Sequence, residues 1–198
     1  MTMGKNRCAW VTEDPLYIDY HDHEWGIPFA QLEHPPYDYE DQYLYEMLTL
    51  EGAQAGLNWL TILQRRENYR AAFDHFDIQK VSRYDEQKIA QLLTNKGIIR
   101  NRLKVRSVVN NAKAFLAIQR EFGQFRTYLW NFVDHKPVIN DWKTASDVPA
   151  YTKLSTALSK DLKRRGFSFV GPTICYAFMQ AVGLVNDHTK NCFLYKEK

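Results

Sequence analysis

"KDLKRRGFSFVG", residues 160–171, sets four cations, Lys160, Lys163, Arg164 and Arg165, directly before a turn bounded by Gly166 and Gly171. The chain then enters an apolar-periodic segment at Pro172, a residue suited to the first helical position because its missing N–H has no partner there. A tight turn that ends in glycine and opens a helix presents backbone N–H groups outward. Such groups bind phosphate oxygens with little regard to base sequence. The plainer alternative is a solvated basic face with no ligand.

Outward from this turn the helical pattern recurs. Apolar residues return at helical spacing at Leu44, Met47, Leu48 and Leu50 in segment 41–55, and at Ile89, Leu92 and Leu93 in 85–94. Segment 101–118 does the same at Val105, Val108, Val109, Ala112, Phe115 and Leu116, and segments 66–74, 124–133, 155–164 and 172–183 read alike. Strand signals are weak: there is no sustained two-residue alternation and no Asn-Gly or Asp-Gly turn. Two longer connections, 29–42 and 135–149, are punctuated by proline, and neither has the composition of a flexible Gly/Ser linker. With no internal repeat, the pattern predicts an all-α protein forming one globular unit over 1–198.

The 198 residues can bury well over half of the surface an extended chain exposes. An apolar fraction of 45% and a charged fraction of 25% exclude disordered, collagen-like and fibrous classes. A net charge of +3 is too mild to indicate nucleic acid unless it is unevenly spread. It is unevenly spread: from Lys96 to Arg120 there are seven cations (Lys96, Arg100, Arg102, Lys104, Arg106, Lys113, Arg120) and no acid. No stretch approaches the ~20 apolar residues of a membrane span, and the N-terminus has no signal-like apolar run, so a soluble, cytoplasmic protein is expected.

Three cysteines cannot all pair, and in a reducing compartment metal ligation or simple burial is favoured over a disulfide. "HTKNC" spaces His188 and Cys192 four residues apart, and Cys8 and His21 near the other end can complete a tetrahedral Cys2His2 set for zinc, with His23 or His34 as substitutes for His21. With four protein ligands the ion would be structural and would tie the two ends of the chain together. Asp22 and Asp187 stand beside the two histidines as acceptors that would orient them. The competing reading is a pair of ordinary buried thiols.

"LEGAQAGLNW", residues 50–59, holds one acid, Glu51, among leucines and small residues and closes on Trp59. By itself this allows an ion pair with Arg65 or Arg66.

"RCAWVTEDPLYIDYHDHEWGIP", "LEGAQAGLNWLTILQRRENYRAAF", "GIIRNRLKV" and "RGFSFVGPTICYAFMQAVGLVNDH" together resemble the 3-methyladenine DNA glycosylase I family of the helix–hairpin–helix superfamily, over Arg7 to Cys192. The resemblance implies a helix–hairpin–helix fold with its hairpin at about 160–185. It also implies a monofunctional enzyme that excises N3-methyladenine from alkylated double-stranded DNA, leaving an abasic site. It implies a structural Zn2+ on Cys8, His21, His188 and Cys192. It places Glu51 in the base pocket against the adenine edge, as the catalytic carboxylate, with Tyr20 and Trp59 stacking on the base and Trp10 walling the pocket. An extruded purine needs such aromatic faces and an acceptor for its exocyclic amine. Backbone contacts to DNA are expected from Gly166, Gly171, Thr173, Lys163 and Arg164, in a monomer that binds through the minor groove and kinks the duplex.

Two departures accompany the resemblance. Where many superfamily members carry a catalytic aspartate, this chain has Asn186 with Asp187 beside it, so no catalytic aspartate is assigned; no lysine nucleophile stands on the hairpin helix, so lyase activity is not expected. The segment from Phe29, with Tyr37, Tyr39, Tyr43 and Tyr45 in or just after it, looks longer than the family's connection and reads either as a self-packed surface loop or as an altered pocket rim. The rival functions are a non-catalytic module that binds alkylated DNA and a zinc-stabilised interaction module; salt-dependent DNA binding separates those two.

Overall fold

The computed structural model describes residues 5–196, which are mostly helical. Helix α1 (Pro15–His23) starts where the Asp14 carboxylate accepts from the Leu16 N–H at 2.9 Å. It is followed by α2 (Glu40–Gln54), α3 (Trp59–Leu63), α4 (Arg66–Ala72), α5 (Ile78–Val81) and α6 (Glu86–Leu92). Then come the long α7 (Arg102–Phe122), α8 (Phe125–Trp130), α9 (Lys153–Arg164) and α10 (Pro172–Ala181). Among the described residues no helix is long and apolar enough to cross a membrane.

Helix α2 is the centre of the fold, packed by α7, α8 and α10. Twelve of its fifteen residues are buried, so it has no solvent face to contrast with an apolar one. Its three buried acids have different fates. Asp41 accepts from the Phe125 and Arg126 N–H groups (2.7 and 2.8 Å) and from Gln119, and so starts α8. Glu46 is paired with Arg66 (2.5 Å) and Arg70. Glu51 is described with the site below.

The hairpin is formed by α9, the turn 165–171 and α10, which pack on each other. Gly166, at φ +93°, occupies backbone space that side chains strain to reach. The turn is pinned from three sides. Asn111 of α7 accepts from the Ser168 N–H (2.8 Å) and donates to its carbonyl (3.0 Å), and Ser159 of α9 donates to the Val170 carbonyl (2.6 Å). From α2, Gly52 lets Phe169 approach so closely that a Cβ there would stand 3.2 Å from the Phe169 Cβ.

Each helix expected from periodicity is present, with shifted ends. Helix α9 begins two residues early because Thr152 and Ser155 exchange capping hydrogen bonds of 3.1 and 2.9 Å. The 124–133 segment is α-helical to Trp130 and tightens into a 3-10 turn to Val133. The all-helical expectation needs one correction: strand β1 (Val138–Ile139) pairs in parallel with β2 (Val185–Asn186). Two residues are too few to display an alternating pattern.

Candidate functional site

Helix α1 sets Tyr17 and Tyr20 on one face, three residues apart, and the Asn58 cap of α3 (Thr61 N–H to Asn58 Oδ1, 2.8 Å) turns Trp59 toward them. With Trp10 and Trp25 these rings line a cavity of about 530 Å3. Tyr20 and Trp59 have ring centroids 5.5 Å apart, and Trp10 meets Trp25 edge-on at 5.1 Å. Glu51, Gln54 and Asn58 close the wall supplied by α2 and the turn after it.

Glu51 is 4% exposed, and among the described residues no ion pair reaches it. The pairing with Arg65 or Arg66 that the sequence allowed is not formed. Arg66 is taken by Glu24 (2.7 Å) and Glu46, and Arg65 donates to the Thr61 carbonyl at 3.3 Å. Burial pushes the Glu51 carboxyl, which lines the cavity, up to about 8. The structure therefore brings together Trp10, Tyr20, Glu51 and Trp59, as expected. Sequence reasoning missed Tyr17, Trp25, Gln54 and Asn58; the i, i+3 spacing of Tyr17 and Tyr20 was the available signal.

The far wall holds Gln180, Asp187 and, from the 135–149 connection, Ala145 and Val148. Asp187 was expected to orient His188; instead it accepts from Asn140 (2.7 Å), Trp142 (2.8 Å), Tyr176 (2.5 Å) and Gln180 (2.6 Å). Four donors saturate its oxygens, and it ties the connection to α10. Asn186 is buried in β2, where its Oδ1 accepts from the His188 N–H at 3.3 Å.

Cys8, His21, His188 and Cys192 are all buried, with ligand atoms within 4.8 Å of one another. Cys192 Sγ lies 3.5 Å from both His21 Nε2 and His188 Nδ1, and Cys8 Sγ lies 3.5 Å from His188 Nδ1. A tetrahedral ion with ordinary zinc–sulfur and zinc–nitrogen bonds requires sulfur-to-nitrogen edges of about 3.5 Å. Three of the cluster's sulfur-to-nitrogen edges match those of such an ion. His21 Nδ1 is 2.8 Å from Asp22, which Arg7 holds with two hydrogen bonds. His23 and His34 are not part of the cluster: His34 is exposed, and both line a separate cleft that shares Tyr20 with the aromatic cavity.

That second cleft also explains the Pro- and Tyr-rich loop. Leu32, Glu33, His34 and Pro36 wall it, and none of them lines the aromatic cavity. Phe29 packs on Tyr43 at 5.5 Å and Tyr37 lies against Arg70, while Tyr43 and Tyr45 are core residues of α2 and Tyr39 is exposed. The loop therefore packs its rings against α2 and α4, is not packed by its own tyrosines, and is no rim of the aromatic cavity.

On the hairpin, Lys163, Arg164, Gly166 and Thr173 are exposed, and no side chain caps the start of α10 at Gly171. Arg164 is hydrogen-bonded to Asp161, and Arg165 is paired with Asp161 and Glu121. The basic run on α7 is also less free than its sequence implied: Arg106 is paired with Glu86, and Lys104 points inward.

The helix pair joined by the 165–171 turn packs against the helix that lends an acid to the aromatic cavity, a mostly helical arrangement that solved structures of 3-methyladenine DNA glycosylase I share at a TM-score of 0.88. The sequence profile of the methyladenine glycosylases matches residues 10–195. The chain belongs to the methyladenine glycosylase family. It is 48% identical to the DNA-3-methyladenine glycosylase 1 of Escherichia coli (strain K12), covering 96% of each chain. It is 47% identical to the DNA-3-methyladenine glycosylase of Haemophilus influenzae, covering 94% of this chain and 96% of that one. A solved structure of the 3-methyladenine DNA glycosylase I of Staphylococcus aureus, which describes 3-methyladenine recognition, superposes with a TM-score of 0.89 at 38% identity over 97% of each chain.

Proposed function

We propose that this protein is a monofunctional DNA glycosylase that removes N3-methyladenine from alkylated DNA by hydrolysing the N-glycosidic bond, leaving an abasic site. The observation that carries the reading is a buried carboxyl group, Glu51, without an ion-pair partner among the described residues and facing an aromatic cavity large enough for a purine.

Methylation at N3 makes the base a cation, so the bond to the sugar is already weakened and the base leaves neutral. The glycosidic electron pair goes to the purine, water adds at the sugar carbon, and the water's proton passes to solvent. The protein's task is chiefly to hold the extruded base and exclude competing geometries. Tyr20 and Trp59 replace the stacking lost on extrusion, Trp10 walls the slot, and Glu51 accepts from the exocyclic amine as the catalytic carboxylate. A cationic base lowers the Glu51 pKa and gains an ion pair, whereas normal adenine would leave the acid uncharged or unpaired. That difference favours the lesion.

The exposed Gly166, Thr173, Lys163 and Arg164 and the half-buried Gly171 supply the contacts to the DNA backbone, through amides at the start of α10 and charge on the last turn of α9. The chain acts as one unit over 1–198 and as a monomer on duplex DNA. Cys8, His21, His188 and Cys192 would hold a structural zinc ion, which joins the N- and C-terminal segments and leaves the chemistry to Glu51 and the rings.

The test is release of free base from methylated genomic DNA, followed by chromatography for wild type and Glu51→Gln. Release of 3-methyladenine by wild type, reduced at least tenfold in the variant, is expected. A folded, zinc-replete protein that binds DNA and releases no base would instead be a damage-binding module.

A further inference from the structure

Lys104 stands in the middle of the basic run that leads into α7, where cationic neighbours on a solvated face would suit it to a phosphate contact. Its position is different. Asn101 caps α7 by accepting from the Leu103 and Lys104 N–H groups (3.0 Å each), which fixes the start of the helix. From there the half-buried Lys104 side chain reaches across to α2, and its Nζ donates to the Ala53 carbonyl at 2.8 Å and the Ala55 carbonyl at 2.7 Å. These are carbonyls at the C-terminal end of α2, which lack intrahelical partners and carry the negative end of the helix dipole. Burial lowers the Lys104 pKa, as expected for a cation withdrawn from water.

The segment so held is the wall of the aromatic cavity. Glu51 precedes it by one turn, Gln54 lies within it, and the chain after Ala55 turns at Gly56 to deliver Asn58 and Trp59 to the same cavity. We infer that Lys104 is a positioning residue, clamping the end of α2 so that Glu51 and Trp59 keep the spacing that grips the base, and that it is not a phosphate contact. The assignment rests on the proposed glycosylase activity.

Lys104→Met removes both hydrogen bonds and the charge, and Lys104→Arg keeps a cation with donors for two carbonyls. Affinity for free 3-methyladenine is read from tryptophan fluorescence well below the unfolding temperature, and duplex-DNA affinity is read across a salt series. The clamp predicts that Lys104→Met binds free base about tenfold more weakly, the loss equivalent to one charge-assisted hydrogen bond. It also predicts an unchanged salt slope and recovery in Lys104→Arg. A phosphate contact instead lowers the slope by about 0.9 and leaves free-base affinity intact. Wild-type free-base affinity in Lys104→Met overturns the assignment whatever the slope does; Lys104→Gln gives the same comparison if the Met variant does not fold. If wild type binds no free base, the glycosylase reading is judged by base release from methylated DNA, and the clamp by amide exchange at 55–58, which must quicken in Lys104→Met.

Discussion

Replacing Glu51 with glutamine should make the protein more stable, and by an amount that depends on pH. An ordinary glutamate ionises near 4.5, whereas burial pushes Glu51 up to about 8. The folded state thus keeps a proton that the unfolded chain gives up. The sign follows: the fold loses nothing from this group below pH 4.5, loses about 1.4 kcal/mol for each pH unit above it, and loses no more beyond pH 8. At pH 7 the accumulated loss is about 3 kcal/mol. Glutamine has nearly the same shape and no ionisable proton, so Glu51→Gln escapes that loss. For a chain of this length 1 kcal/mol moves Tm by about 2–4 °C, so the variant should melt roughly 6–12 °C higher at pH 7 and at nearly the wild-type temperature at pH 4.5. Thermal unfolding of both proteins from pH 4.5 to 8.5 at fixed zinc measures the difference, in which every other titrating group cancels. A Tm difference that does not change with pH would refute the reasoning, because it would mean that Glu51 is already ionised in the fold. Gain in stability with loss of activity is the expected signature of a residue kept for its work on a ligand.

Two further outcomes follow from the same geometry. Trp59→Ala removes one of the two rings set against the base and should weaken binding of free 3-methyladenine by 1–3 kcal/mol, roughly 5- to 150-fold, measured by calorimetry. The purified protein should contain one zinc ion per chain by atomic absorption; Cys192→Ser should lose it and melt several degrees lower, and a variant that keeps both metal and Tm would contradict the four-ligand site.

How much of this was legible in the sequence varies from element to element. The surface of α7 declares itself, since one face meets α2 and α5 and the other meets water. Helix α2 was legible as a helix but not as the centre of the fold, because burial on every side erases the contrast that periodicity detects. The metal ligands and pocket aromatics were expected from the family's motifs; their spacing alone left His23 and His34 open as alternatives to His21. Among charged groups, the contact of Asp22 with its neighbour His21 was legible, and partners distant in the chain were not. Whether Arg66 would meet Glu51 or Glu24 and Glu46, whether Lys104 would face solvent or α2, and whether Asp187 would serve His188 or bind the 135–149 connection were each decided by contacts distant in the chain. Local patterns do not encode such contacts.

The most direct measurement is a crystal structure of this protein with 3-methyladenine. The base should lie in the aromatic cavity against Tyr20 and Trp59, with its exocyclic amine about 3 Å from a Glu51 oxygen. A base lodged in the cleft beside His34 and Arg70, or one in the aromatic cavity turned away from Glu51, would contradict it.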